Sequence, residues 1–432
     1  MNKGLARQIS GQFAPDSGSR FTMLLRYYTL AFILTIFYQP CAQAQNPNPD
    51  IIIQHKDTLI GHQIDVWDVW RYIWGQTENL YHDSIPLKKG KFYISPVPAL
   101  GYTIQSSFFA GAEANISFFT DEPRQTNLST ILINGEYSLK QQFTLQLESD
   151  IWTKNNKIDL VGDIRYYQYP SVTYGLGTHS TIADADPLDY TYLRVYEVFA
   201  KQFAPDLLCG IGYNLDYRYD IEDFGNASHT ETDIKKYDGG ASSTVSSGLS
   251  LNMVYDARRN NNNPQGGWYG DVIIRPNLTI LGSTNNWQLF YADFRKYFRL
   301  PGKSHNILAF WNYYWITIGH APYLDLPATQ WDTYENSARG YIQDRFKAPA
   351  LIYFETEYRF KILSDGLLGG VVFTNFQSYS NWPSNTFSTI FPAVGTGLRI
   401  KVNKHSNTNA CIDYAWGVQG SNGVFFNLGE VF

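Results

Sequence analysis

From Phe92 to Phe432 the chain is written in segments of roughly 11–18 residues that alternate apolar and polar positions and are parted by turn residues. The cleanest, Gln142-Phe143-Thr144-Leu145-Gln146-Leu147-Glu148, keeps a strict period of two, the period of a strand with one face apolar. The pattern predicts strands near 92–105, 107–120, 127–139, 142–153, 156–169, 190–203, 206–220, 241–258, 267–280, 285–300, 303–318, 349–363, 366–380, 388–402, 408–417 and 422–432. Sixteen is an even number, as a single-chain bacterial barrel requires. In the last strand, Val424, Phe426, Leu428, Glu430 and Phe432 fall on one face, apolar except at Glu430. Such a strand end is an aggregation hazard in water. It fits the closing stave of a barrel whose face meets lipid, with Glu430 near the periplasmic end where its carboxylate reaches water. The alternative is the last core strand of a soluble sandwich.

The connections check the count. With the first strand running outward, the long stretches 170–189, 221–240 and 319–348 all fall outside, and turns such as 203–206 and 363–366 fall inside. Long outer loops and short periplasmic turns are the asymmetry of an outer-membrane barrel. Ahead of the barrel, Ile64 to Trp74 reads as a short helix, with Asp65, Asp68 and Arg71 at every third position and Trp67, Trp70 and Trp74 among apolar residues. It suits a membrane interface or the periplasmic mouth, or equally a helix packed on any apolar surface.

Composition agrees with strands rather than helices in the membrane. Aromatics make up 16% and charged residues 17% of the 432 residues, while mean hydropathy is −0.29. A net charge of −5 points away from a nucleic-acid partner, and the barrel reading makes outer-membrane lipid the expected surroundings. The apolar run Leu24 to Tyr38, followed by Ala42-Gln43-Ala44, reads as a secretory signal cleaved after Ala44, with Met23 a candidate start that makes residues 1–22 an over-extension. Residues 45–91 are then a periplasmic lead-in, polar and Asn/Pro-rich over 45–60, and residues 92–432 the barrel. Cys41 leaves with the signal, and Cys209 and Cys411 read as small apolar side chains rather than a disulfide. No Gly-x-Ser-x-Gly, His-Glu-x-x-His, Cys-x-x-Cys or phosphate-binding glycine loop occurs, so neither an enzyme nor a cofactor is expected. The run Asp184-Ala185-Asp186-Pro187-Leu188-Asp189 reads as a solvated acidic loop in preference to a calcium site, and no metal is expected.

Four motifs stand in order along the second half. A turn carries Asp256, Arg258, Pro264, Gly266 and Gly267, in which the aspartate and arginine are placed to pair. The sixth outer loop holds Arg339-Gly340-Tyr341, the twelfth strand Glu357-Tyr358-Arg359-Phe360, and the chain closes on Phe426-Asn427-Leu428-Gly429-Glu430-Val431-Phe432. Together they resemble the barrel of the BamA/TamA-like outer-membrane assembly factors, the bacterial surface antigen family, over about residues 92–432. The resemblance implies that Arg339 folds into the lumen and pairs with Glu357, and that the first and sixteenth strands meet at a weak seam. Where the family has an aspartate on the thirteenth strand this sequence has Asn375, which leaves the pairing to rest mainly on Glu357, and residues 45–91 are too few for the family's periplasmic POTRA domains. The implied function is assistance to insertion or translocation of other outer-membrane or secreted proteins, with unfolded clients, or a separate periplasmic partner, as associates. The competing expectations are a passive pore or partner-serving barrel and, third, an outer-membrane lipid enzyme.

Overall fold

The computed structural model describes residues 63–74, 89–123, 125–226, 232–258, 260–300, 306–333, 335–404 and 407–432. The expected signal and the polar lead-in over 45–60 lie outside these. Helix α1 spans Val66–Ile73 and α2 spans Asp233–Asp238. The strands are β1 (Tyr93–Thr103), β2 (Ser107–Phe118), β3 (Ser129–Ser138), β4 (Phe143–Trp152), β5 (Ile158–Gln168), the three-residue β6 (Ser171–Thr173), β7 (Asp186–Ala204), β8 (Leu207–Asp223), β9 (Ser243–Asp256), β10 (Gly267–Asn277), β11 (Trp287–Arg299), β12 (Ile307–Gly319), β13 (Ala350–Lys361), β14 (Leu368–Tyr379), β15 (Phe391–Asn403), β16 (Thr408–Gly417) and β17 (Asn422–Leu428).

Setting β6 aside, sixteen long strands form one antiparallel meander in which each pairs with the next, β5 with β7 directly. The side-chain alternation is inside-out relative to a soluble protein. Phe294, Val394, Leu398 and Phe426 are exposed on the outer face, while Arg295, Glu355, Arg399 and Asp413 are buried on the inner one. That sorting is what lipid outside and a polar lumen inside demand. No described helix is long and apolar enough to cross a membrane.

Helix α1 begins on a reciprocal cap: the Asp65 N–H donates to Asp68 and the Asp68 N–H to Asp65. It lies at the inner end of the strands. Lys404, in the β15–β16 turn, pairs with Asp68 at 2.7 Å, and the Ile64 N–H donates to Asp365 in the β13–β14 turn. Ile73 and Trp74 stay exposed, with the Trp74 ring 5.4 Å from that of Trp70.

Three details differ from the sequence reading. Strand β7 starts at Asp186, inside the predicted loop, because short β6 extends the sheet and pairs with its first residues. This splits the acidic run. Asp184 accepts from the Thr181 N–H and hydroxyl in a loop, while Asp186 and Asp189 belong to β7. Cys209 and Cys411 do not differ from that reading, since both are free. The last strand ends at Leu428. Gly429, at φ +90°, turns the chain inward, so that Glu430, Val431 and Phe432 leave the lipid face and are buried in the lumen.

Candidate functional site

The connection between β12 and β13, residues 320–349, folds back into the lumen, and most of it is buried. Its tip is built by local backbone chemistry. Ala338 and Gly340 both take positive φ, and the Tyr341 N–H closes a turn on the Ala338 carbonyl at 3.1 Å. At Gly340, φ is +104° and a Cβ would lie 2.9 Å from that of Ala393, so glycine is required by both backbone and space. Tyr341 then fastens the tip to the wall: its hydroxyl donates to the Pro392 carbonyl at 2.7 Å and accepts from the Val418 N–H at 3.2 Å.

The turn drives Arg339 into the wall formed by β13 to β16. Its guanidinium lies 3.6 Å from the centre of the Phe373 ring and donates to three carboxylates, those of Glu355, Glu357 and Asp413. Asn375, which stands where the family has an aspartate, is a donor here: its Nδ2 donates to the Arg339 carbonyl at 2.9 Å. The acid that the thirteenth long strand lacks is supplied elsewhere, by Asp413 on β16 and Glu355 on β13. Pairing therefore does not rest mainly on Glu357. The reason is register. Glu355 lies opposite Asn375, and Asp413 lies opposite Gly397, which has no side chain to block its reach.

The charges continue around a closed circuit. Glu357 accepts from Arg359 Nε at 2.6 Å, and Arg359 lies 3.7 Å from Glu430. Glu430 accepts from Arg399 Nε at 2.7 Å, and Arg399 donates to Asp413 at 2.5 Å, which returns to Arg339. Tyr353 donates to the remaining acid, Glu355, and accepts from the Ala338 N–H at 2.9 Å. Three guanidinium groups thus face four carboxylates, all at 8% exposure or less. A buried charge persists only where partners and hydrogen bonds replace its water, and here each charge meets at least one partner of opposite sign.

The segment after β17 completes the circuit. Glu430 is a member of it, not a water-facing residue: Asn409 donates to its other oxygen at 2.7 Å. Phe432 sits with its ring 5.2 Å from Trp311 and 6.2 Å from Tyr297, and its carbonyl accepts from Arg359 at 2.8 Å. The tip's neighbour Asn336 donates to the Val431 carbonyl. The turn that carries Asp256 and Arg258 also arrives here. Arg258 grips Asp256 with two hydrogen bonds, at 2.9 and 2.7 Å, and stacks 4.2 Å from the Tyr269 ring. Gly267, at φ +106°, brings the turn back to β10, while the Asn262 carbonyl accepts from the Glu430 N–H at 2.6 Å. Pro264 and Gly266 lie in the same turn. Of the terminal residues, Phe426 and Leu428 face outward on β17, whereas Gly429 and Phe432 belong to the inward segment. Sequence reasoning missed Glu355, Asp413, Arg399 and the place of Glu430. Its available signal was a charged residue at an inward position of a strand otherwise facing lipid or lumen.

Residues 128–432 match the Omp85 superfamily domain. The chain belongs to that superfamily. The match spans all but the first two long strands, and the inward arginine tip falls within it. Among solved structures, BamA from Haemophilus ducreyi lacking POTRA domains 1–3 is similar in fold, with a TM-score of 0.56 at 14% identity over 78% of this chain and 70% of that one. CdiB from Acinetobacter baumannii gives 0.49 at 11% identity over 78% of this chain and 59% of that one. No curated protein matches the chain. This Omp85 barrel is accordingly an outer-membrane protein of Gram-negative type.

Proposed function

We propose that this Omp85 barrel assists the insertion or translocation of other outer-membrane or secreted proteins, without covalent chemistry, and that clients use the edge between β1 and β17. The observation that carries the reading is a contrast in backbone pairing. Every other neighbouring pair of long strands shares a ladder, whereas among the described residues none joins β1 to β17, although the Tyr102 and Phe426 rings lie 6.5 Å apart. An edge with unpaired N–H and C=O groups is a template for an extended chain. Membership of the superfamily and the BamA-like fold support the same role. A separate periplasmic partner at the α1 end is part of the proposal.

A disulfide between Tyr102→Cys and Phe426→Cys tests it. Locking should abolish client insertion while leaving the barrel folded, and full insertion through a locked seam would sink the reading. The passive-pore alternative is disfavoured by the buried loop 320–349 and by residues 430–432, which occupy the lumen. Planar-bilayer recordings should accordingly find the purified barrel closed, with steady conductance as the contrary result.

A further inference from the structure

In an antiparallel strand the N–H and C=O of one residue point to the same neighbour, and successive residues alternate between neighbours. That rule identifies which backbone groups face the seam. The Leu139 N–H donates to the Phe108 carbonyl at 2.8 Å, so even-numbered residues of β2 serve β3 and odd-numbered ones serve β1. Their partners Ser95, Val97, Ala99 and Gly101 point back to β2. Ile94, Pro96, Pro98, Leu100 and Tyr102 therefore face β17. The same argument from the Gly429 N–H, which donates to Asn409 at 2.8 Å, turns Val424, Phe426 and Leu428 toward β1.

Two of the five seam-facing positions of β1 are thus prolines, which have no N–H to give. Their level matters. Tyr102 lies beside Phe426, and the Ile104 side chain occupies the space above Gly423. Two residues further in on each strand, Leu100 comes level with Leu428, where β17 ends. The next levels would set Glu430 against Pro98 and Phe432 against Pro96. There the chain turns at Gly429 and goes into the lumen instead.

We propose that Pro96 and Pro98 bar residues 429–432 from completing the seam, and so keep the inner half of the β1 edge free for an extended segment of a client chain. With the two donors missing, a ladder at these levels would leave the carbonyls of residues 430 and 432 unanswered, and an unanswered group in the bilayer is costly. The same loss lowers the cost of leaving the edge free, because each proline exposes only its carbonyl and no donor. What remains there is a row of acceptors, the Pro96 and Pro98 carbonyls, which an extended segment reaches with its own N–H groups. Gly429 and the Arg359–Arg399 pair give the displaced segment its alternative home. The inference rests on the seam reading for its purpose, while its test reads the seam with no client present.

The test uses the full chain with Cys209 and Cys411 replaced by serine and a disulfide pair at Val97→Cys and Val431→Cys. With both prolines present the pair should not cross-link. With Pro96→Val and Pro98→Val it should, as residues 429–432 leave the lumen and zip onto β1. The pair Tyr102→Cys and Phe426→Cys should cross-link in both backgrounds. Cross-linking of Val97→Cys to Val431→Cys that is indifferent to the prolines, present or absent in both, overturns the proposal. Should the valine variants fail to assemble, amide exchange on the unsubstituted barrel decides. The Ile94 N–H, on the free edge, should exchange at least about tenfold faster than those of Ser95 and Val97, and equal protection overturns the proposal. A failed cross-link prediction would leave the client assay on the locked seam unaffected.

Discussion

The lumen is filled at two levels, and charge is arranged differently in each. At the inner level, Tyr297, Trp311, Tyr313, Tyr353, Phe391 and Phe432 surround the arginine tip, and the charged circuit runs through them. At the outer level, Tyr167, Tyr169, Tyr190, Tyr192, Tyr237 and Tyr323 pack around the root of the same loop and around α2. Outer links combine hydrogen bonds of neutral groups, such as Tyr169 to Gln343 at 2.9 Å and Thr173 with Tyr323 at 2.6 Å, with buried ion pairs, Arg218–Asp325, Arg275–Asp216 and Lys347–Asp344. Removing a neutral link forfeits about 1 kcal/mol, whereas removing one partner of a buried charge strands the others at about 3–5 kcal/mol. The inner level should therefore hold or fail as a unit, and the outer level should loosen by degrees.

The largest expected effect follows from Arg339. Arg339→Ala leaves Glu355, Glu357 and Asp413 without their shared cation, a cost of about 3–5 kcal/mol. Barrel yield, read as the heat-modifiable band on an unheated gel, should collapse, and client insertion with it. Arg339→Lys restores the charge without the fork that spans three acids, so it should recover only a minor part. Wild-type yield from either variant would abolish the distinction between the two levels.

Next comes the displaced acid. Asp413→Asn should cost about 2–3 kcal/mol, since Arg339 and Arg399 both lose a partner. Adding Asn375→Asp to that variant places an acid opposite Glu355, within the same wall, and should restore part of the loss. Denaturant midpoints of the refolded barrel measure both steps, and absence of any rescue would mean that strand β14 cannot substitute for β16. Glu430→Gln should be milder, about 1–2 kcal/mol, because Arg399 keeps Asp413 and Arg359 keeps Glu357. Its signature is faster proteolysis of residues 429–432 at unchanged barrel yield.

The strand pattern was legible because lipid on one side and lumen on the other impose the period of two on nearly every stave. The sixteen long strands appear where the alternation put them, with errors of a few residues at loop ends. Strand β7 begins at Asp186 because its first residues pair with β6, a contact between segments that local pattern does not encode. The last strand was misread past Leu428 for a related reason. Glu430 and Phe432 keep the outward parity of Val424 and Phe426, but a single glycine at φ +90° ends that parity, and only the guanidinium groups of Arg359 and Arg399 explain where the chain goes. Arg339 and Glu357 were named through resemblance, while Asp413, 74 residues away from Arg339, became visible only through the register of β15 with β16.

The smallest effect sharpens the outer level. Asp238, at the end of α2, accepts the Tyr323 N–H at 2.7 Å and lies 3.6 Å from His320. Burial pushes its carboxyl up to about 6, against the opposing pull of that N–H and of His320. A raised carboxyl means that the folded protein binds more protons than the unfolded one between about pH 4 and pH 6, so stability falls as pH rises through that window and the full cost stands above it. Asp238→Asn keeps an acceptor for Tyr323 but carries no charge. It should tighten the loop root by about 1 kcal/mol at pH 7.5 and change nothing at pH 4.5, where Asp238 is already neutral. Amide exchange at Tyr323 reads the difference. An equal gain at both pH values would assign the effect to packing rather than to charge, and a loss at pH 7.5 would show that the loop root depends on the Asp238 carboxylate.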